Sequence, residues 1–125
     1  MRGRIGLGLL LLLAACGGAT SPSGSVECTE PVDGVLTVTA ESLVFDTACL
    51  ALPAGEPVTL AFENLDTGPH NVAIYTDSSK TTQLYVGEII EGGESISYEI
   101  PALEAGTFYF DCTVHPGMKG TVIVQ

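Results

Sequence analysis

The segment Cys112-Thr113-Val114-His115-Pro116-Gly117-Met118 sets a thiol, an imidazole and a thioether at gaps of two residues. Groups this close in sequence can converge on one ion if the chain bends once between them. Their softness then selects the metal. Imidazole and thiolate with a weak thioether suit copper, whereas structural zinc wants four strong nitrogen or sulfur donors. A further donor has to come from elsewhere. The chain has two histidines, and the other, His70, directly follows the turn residues Gly68-Pro69. Each residue also has a plainer role open to it: His70 as a hydrogen-bonded residue at a strand start, Cys112 as a small core hydrophobe, Met118 as a gap-filler. If these three served only those roles, the two histidines, the cysteine and the adjacent methionine would match one metal template by coincidence.

Donors so far apart in sequence need a scaffold that brings two connections to one end. From about Val26 onward, short β-rich stretches alternate with turn residues, and no helical period is sustained. Strands are expected over residues 35–39, 42–45, 57–64, 71–76, 85–89, 94–100, 107–112 and 121–124. Val58, Leu60 and Phe62 alternate with Thr59, Ala61 and Glu63, and Phe108 and Phe110 alternate with Thr107, Tyr109 and Asp111. Period two places one set in a core and the other in solvent. By that parity Cys112 points inward and Asp111 outward. Turns are expected at residues 53–55, 66–69, 92–93 and 116–117, where Gly and Pro supply the required backbone angles. Eight short strands predict a single all-β sandwich over residues 27–125.

Gly68-Pro69-His70-Asn71-Val72, the pattern Cys-x2-His-x2-Met over Cys112, His115 and Met118, and the following Lys119-Gly120-Thr121-Val122 together resemble the cupredoxins. These are the small type 1 blue copper proteins; the loop length is similar to that of amicyanin, and the pattern is related to plastocyanin. The resemblance covers roughly residues 35–124. It implies a Greek-key β-sandwich, one copper ion cycling between Cu(I) and Cu(II), and His70, Cys112, His115 and Met118 as its ligands. It also implies that Asn71 ties the two ligand connections together by hydrogen bonds. Plastocyanins often carry an outward aromatic just before the ligand cysteine; this chain has Asp111 there, and its nearest outward aromatic is Tyr109.

Met1-Arg2-Gly3-Arg4, an apolar run to Leu13 and then Ala14-Ala15-Cys16 follow the order of an export signal over residues 1–15, charged, then apolar, then small. The run falls short of the ~20 apolar residues of a spanning helix. Leu13-Ala14-Ala15-Cys16 resembles the lipobox of bacterial lipoproteins, which implies acylation of Cys16 and anchoring to a membrane, in the periplasm or on the outer face of the cell membrane. An ordinary signal peptide cut elsewhere would export the protein too. Residues 16–26, rich in Gly and Ser, read as a tether. Beyond Cys16 three cysteines remain, so one lacks a partner in the chain. With Cys112 given to copper, Cys28 and Cys49 are left to pair as a disulfide in an oxidising compartment.

After cleavage, Lys80 and Lys119 face fifteen acidic residues, a formal charge of −13. Such a surface disfavours nucleic acid and steers a basic partner toward it. The expected protein is a monomeric electron carrier that exchanges one electron with a redox protein such as a basic cytochrome. The sequence offers no second histidine cluster and no nucleophile with a base, so it does not read as an enzyme. A copper-delivery lipoprotein is the alternative, although Met1 and Met118 are the only methionines available for a labile entry path. A metal-free sandwich that binds a protein is the third reading.

Overall fold

A computed structural model describes residues 27–125. The expected export segment, the acylated Cys16 and the tether lie outside the described residues. The strands are β1 (Val35–Glu41), β2 (Val44–Phe45), β3 (Cys49–Leu52), β4 (Val58–Asn64), β5 (Ala73–Tyr75), β6 (Gln83–Val86), β7 (Ser95–Ile100), β8 (Gly106–Cys112) and β9 (His115–Val124). They form two sheets, β2-β1-β4-β7 and β3-β9-β8-β5-β6. The β1–β4 and β3–β9 pairs are parallel, and the others are antiparallel.

The core lies between the sheets. Leu36, Val38, Leu60, Phe62 and Ile100 from one meet Leu50, Ile74, Phe110 and Val122 from the other, all at most 1% exposed. Burial of each such side chain stabilises the fold by roughly 1.5–3 kcal/mol. Phe45 joins the layers, its ring centroid 6.3 Å from that of Phe62 and 5.4 Å from that of Phe110. A disulfide joins Cys28 to Cys49. Backbone bonds from Thr29 N to Cys49 O and from Ala51 N to Thr29 O lay the segment before β1 along β3.

The structure corrects three sequence expectations about strands and turns. Among the described residues the sandwich has nine strands, the additional one being β3, whose Cys49, Leu50 and Leu52 are all buried. With no solvent face it shows no alternation to read. Residues 42–45 are not one strand, because Ser42 and Leu43 take φ of 55° and 62° and reverse the chain between β1 and β2. That pair of left-handed conformations is what a two-residue hairpin turn demands, and it costs about 1 kcal/mol or more per non-glycine residue. The third correction, at the start of β9, bears directly on the site.

Candidate metal centre

Cys112 ends β8 facing the core, as its parity with Phe110 requires, and has no exposed surface. The chain then reverses through Thr113 and Val114, and Cys112 pairs across the hairpin with His115, the first residue of β9. The expected turn at 116–117 therefore falls inside a strand. On the near side Asp111 pairs with Lys119, so Pro116, Gly117 and Met118 have no partners on β8 and form a bulge. Bulges re-aim side chains at strand ends. This one turns Met118 inward, where it is 2% exposed and joins the buried cluster that includes Cys112.

His70 arrives from the connection between β4 and β5. Its backbone is clamped to Ile90 by reciprocal N–H to C=O bonds of 3.0 Å each, and its side chain is fully buried. Asn64, also fully buried, shapes the connection: its Nδ2 donates to Gly68 O at 2.8 Å, and its Oδ1 accepts from Asp66 N at 3.0 Å. The connection lies flat on Gly92, where a Cβ would come within 2.5 Å of the Asp66 and Thr67 carbonyl oxygens. Only glycine permits that approach.

Three donor atoms converge. Cys112 Sγ lies 3.7 Å from His70 Nδ1 and 4.0 Å from His115 Nδ1, and the two Nδ1 atoms are 3.1 Å apart. Donors held ~2.0–2.3 Å from one ion lie about 3–4 Å from one another. One thiolate and two imidazoles, with the buried thioether of Met118 nearby in sequence, form a donor set that fits copper and lacks the fourth strong donor of structural zinc.

Sequence reasoning missed Asp66. Its Oδ2 lies 2.9 Å from His70 Nε2 and accepts the Leu43 amide at 2.9 Å. The Leu43 amide first, and the His70 ring second, hold the Asp66 carboxyl below the usual range. An ionised carboxylate only accepts, so His70 Nε2 is the donor in this contact, and Nδ1 is the ring nitrogen turned toward Cys112. The signal was a carboxylate four residues before the histidine, which the turn residues around it disguised.

Asn71 lies between the two ligand connections. Its Nδ2 donates to Gly87 O at 2.8 Å, and its Oδ1 accepts from Thr113 N at 2.9 Å and Thr113 Oγ1 at 3.1 Å. The turn that sets His115 against Cys112 is thereby fastened to the residue following His70.

Asp111 does not reach solvent as its parity suggested. It sits on the opposite face from Phe110 and Cys112, yet it is fully buried under Lys80, whose Nζ donates to its Oδ2 at 2.6 Å. Tyr75 and Tyr109 flank the pair with ring centroids 6.3 Å apart.

Two β-sheets that hold a thiol, two imidazoles and a buried thioether at one end define a small single-metal sandwich protein. Residues 7–124 match the family model of the cupredoxin-like domain, and the chain belongs to the cupredoxin-like family. Amicyanin of Paracoccus denitrificans is 31% identical over 112 residues, covering 86% of this chain and 79% of its own. Auracyanin-A of Chloroflexus aurantiacus is 28% identical over 153 residues, covering 94% and 91%; its solved structure is described as that of a "blue" copper protein. The solved amicyanin of Paracoccus versutus matches with a TM-score of 0.55 at 33% identity, covering 76% of this chain and 84% of that one. Auracyanin B shares the fold, with a TM-score of 0.67 at 24% identity over 82% and 96% of the two chains.

Proposed function

We propose that this chain is a copper-binding electron-transfer protein that works outside the cytoplasm, with His70, Cys112, His115 and Met118 as the ligands of one copper ion. The observation that carries the reading is the convergence of Cys112 Sγ with the Nδ1 atoms of both histidines. When bound, copper supplies a one-electron change between Cu(I) and Cu(II). The chain's own residues do the rest. Buried Cys112, His70 and Met118 exclude water from the centre, and Asn71 keeps the two ligand connections at a fixed separation. Ligands that cannot move keep small the rearrangement that accompanies each transfer.

His115 is half-buried, unlike the other three, so its edge is the way in and out. Beside it in sequence Val114, Pro116 and Gly117 are exposed, and Pro69, next to His70, is half-buried, residues that would form a small apolar collar suited to brief docking. Exposed Glu88, Glu91 and Glu94 lie on the connection that carries Ile90, the backbone partner of His70. With two lysines against fifteen acidic groups beyond Cys16, the surface favours a basic redox partner such as a cytochrome. The lipobox-like Leu13-Ala14-Ala15-Cys16 supports anchoring by acylated Cys16, and Cys16→Ala protein should leave the membrane fraction.

Titration with Cu(II) tests the function. One equivalent should produce intense thiolate-to-copper visible absorption, and the loaded protein should exchange electrons rapidly with a basic cytochrome in stopped flow. Failure to develop the band would overturn the proposal.

A further inference from the structure

Asp66 has no part in the proposed ligand set, and nothing in the sequence pattern singled it out, yet much of the surrounding loop serves to place it. Its amide is held by Asn64 Oδ1, its carbonyl rests on Gly92, and its Oδ2 receives the Leu43 amide from the β1–β2 turn. That turn holds two non-glycine residues at positive φ, at Ser42 and Leu43, and Leu43 delivers the amide proton to the carboxylate. The same oxygen meets His70 Nε2, while the opposite edge of the ring faces Cys112 and His115. Asp66 is thus braced from three elements, with its side chain only 19% exposed.

We infer that Asp66 is a positioning residue for His70: its carboxylate fixes the ring with the proton on Nε2 and the bare Nδ1 toward the metal, and makes that nitrogen a stronger donor. The inference rests on the copper reading above. Three consequences follow from the geometry. A ring held by Nε2 cannot turn over to offer the other nitrogen. A negative acceptor behind an imidazole raises its basicity, as carboxylates behind metal-bound histidines do. A stronger donor stabilises Cu(II) more than Cu(I), so Asp66 lowers the reduction potential.

Three variants and one control test this. Asp66→Asn keeps an acceptor for both the ring and the Leu43 amide but removes the charge; Asp66→Ala removes both; Asp66→Glu restores the carboxylate. Asp46→Asn, at an exposed carboxylate that accepts the Thr39 amide, controls for net charge. Loss of such a partner typically weakens metal binding 10–100-fold. If the loss falls ten-fold more heavily on Cu(II), the midpoint potential rises by about 59 mV for a one-electron couple.

The expected order of midpoint potentials is Asp66→Ala above Asp66→Asn above wild type, with Asp66→Glu returning toward wild type and Asp46→Asn unchanged. In the metal-free protein, ring-nitrogen NMR shifts should show His70 as the Nε2–H tautomer in wild type and a mixture in Asp66→Ala. Unchanged potentials in variants that retain the visible band would overturn the inference and leave the copper reading standing. A wild-type protein without the band, but with the tautomer shift on substitution, would overturn the copper reading and with it the effect on potential. Unfolding of Asp66→Ala leaves Asp66→Asn to decide. Stability losses without any change in potential or tautomer would reduce Asp66 to a structural residue.

Discussion

Lys80 Nζ lies 2.6 Å from Asp111 Oδ2, and the lysine closes over a carboxylate that has no exposed surface of its own. Removing one partner of a buried ion pair costs about 3–5 kcal/mol, because the remaining charge stays desolvated. Lys80 is itself 32% exposed, so Lys80→Met should cost about 3 kcal/mol, the lower end of that range, in urea unfolding of the metal-free protein. Pairing it with Asp111→Leu should recover most of the loss. The hydrogen bond that Lys80 donates to Asp111 is the main cause of a Lys80 pKa raised above its ordinary value. A cation whose folded pKa is raised contributes fully below the unfolded value, about 10.4, and loses that contribution as pH rises through the folded value. The gap between wild type and Lys80→Met should therefore hold across neutral pH and narrow only in strongly alkaline solution.

That pair also marks where sequence reasoning stops. Parity correctly set Asp111 on the opposite face from Cys112, but parity cannot see a lysine fold over it from a turn 31 residues away. Strands with one wet face, such as β4 with its buried Val58, Leu60 and Phe62, were legible because burial alternates. β3 was not, being buried on both faces, and the start of β9 was not, because Pro116 and Gly117 are turn formers that here fill a bulge. The donors themselves were legible because soft side chains at short spacing have few other uses. Asp66 was not, since a turn aspartate and a carboxylate behind a metal-facing histidine look alike until the loop is folded.

The hydrogen bonds of Asn71 predict a stability cost that does not depend on metal. Asn71→Ala leaves Gly87 O, Thr113 N and Thr113 Oγ1 without their partner in a site that is 1% exposed. An unsatisfied buried group costs about 1–3 kcal/mol. The metal-free variant should lose that much in denaturant unfolding, and the loaded variant should release copper to a chelator faster than wild type.

Joining Cys28 to Cys49 closes a loop across a sequence separation of 21 residues and fastens the leading segment to β3. A crosslink of this span is worth about 2–4 kcal/mol. The double variant Cys28→Ser/Cys49→Ser should lose that stability while keeping the visible band, since neither sulfur is among the converging donors. Mass spectrometry of exported wild-type protein without reductant should find neither thiol free.

Substitution of the proposed ligands should separate their roles. Cys112→Ser should abolish the intense colour, because the band needs the thiolate. His70→Ala should open the site to outside ligands such as imidazole. Met118→Gln should keep the colour and lower the potential, since a weak axial donor tunes the metal without creating the band. Optical titration and voltammetry distinguish the three, and a Cys112→Ser protein with the wild-type band would exclude Cys112 as the ligand.

The surface around His115 predicts a division of labour between contact and attraction. Val114 is 40% exposed on the turn that places His115, so Val114→Glu puts a charge where a partner must approach closely. Glu91 is exposed on the connection behind Ile90, and its amide is held by Glu94 Oε2 at 2.9 Å, an arrangement that Glu91→Gln leaves intact. Exposed charges act over a screening length of about 8–10 Å at ordinary salt and change encounter rates more than close contact. Val114→Glu should therefore slow transfer to a basic cytochrome at every ionic strength, even though it makes the protein more acidic and so increases long-range attraction. Glu91→Gln should slow transfer modestly at low salt, flatten the dependence of rate on salt, and match wild type at high salt. Stopped-flow rates across ionic strength decide between this arrangement and another route: equal, small effects from both substitutions would place the port away from His115.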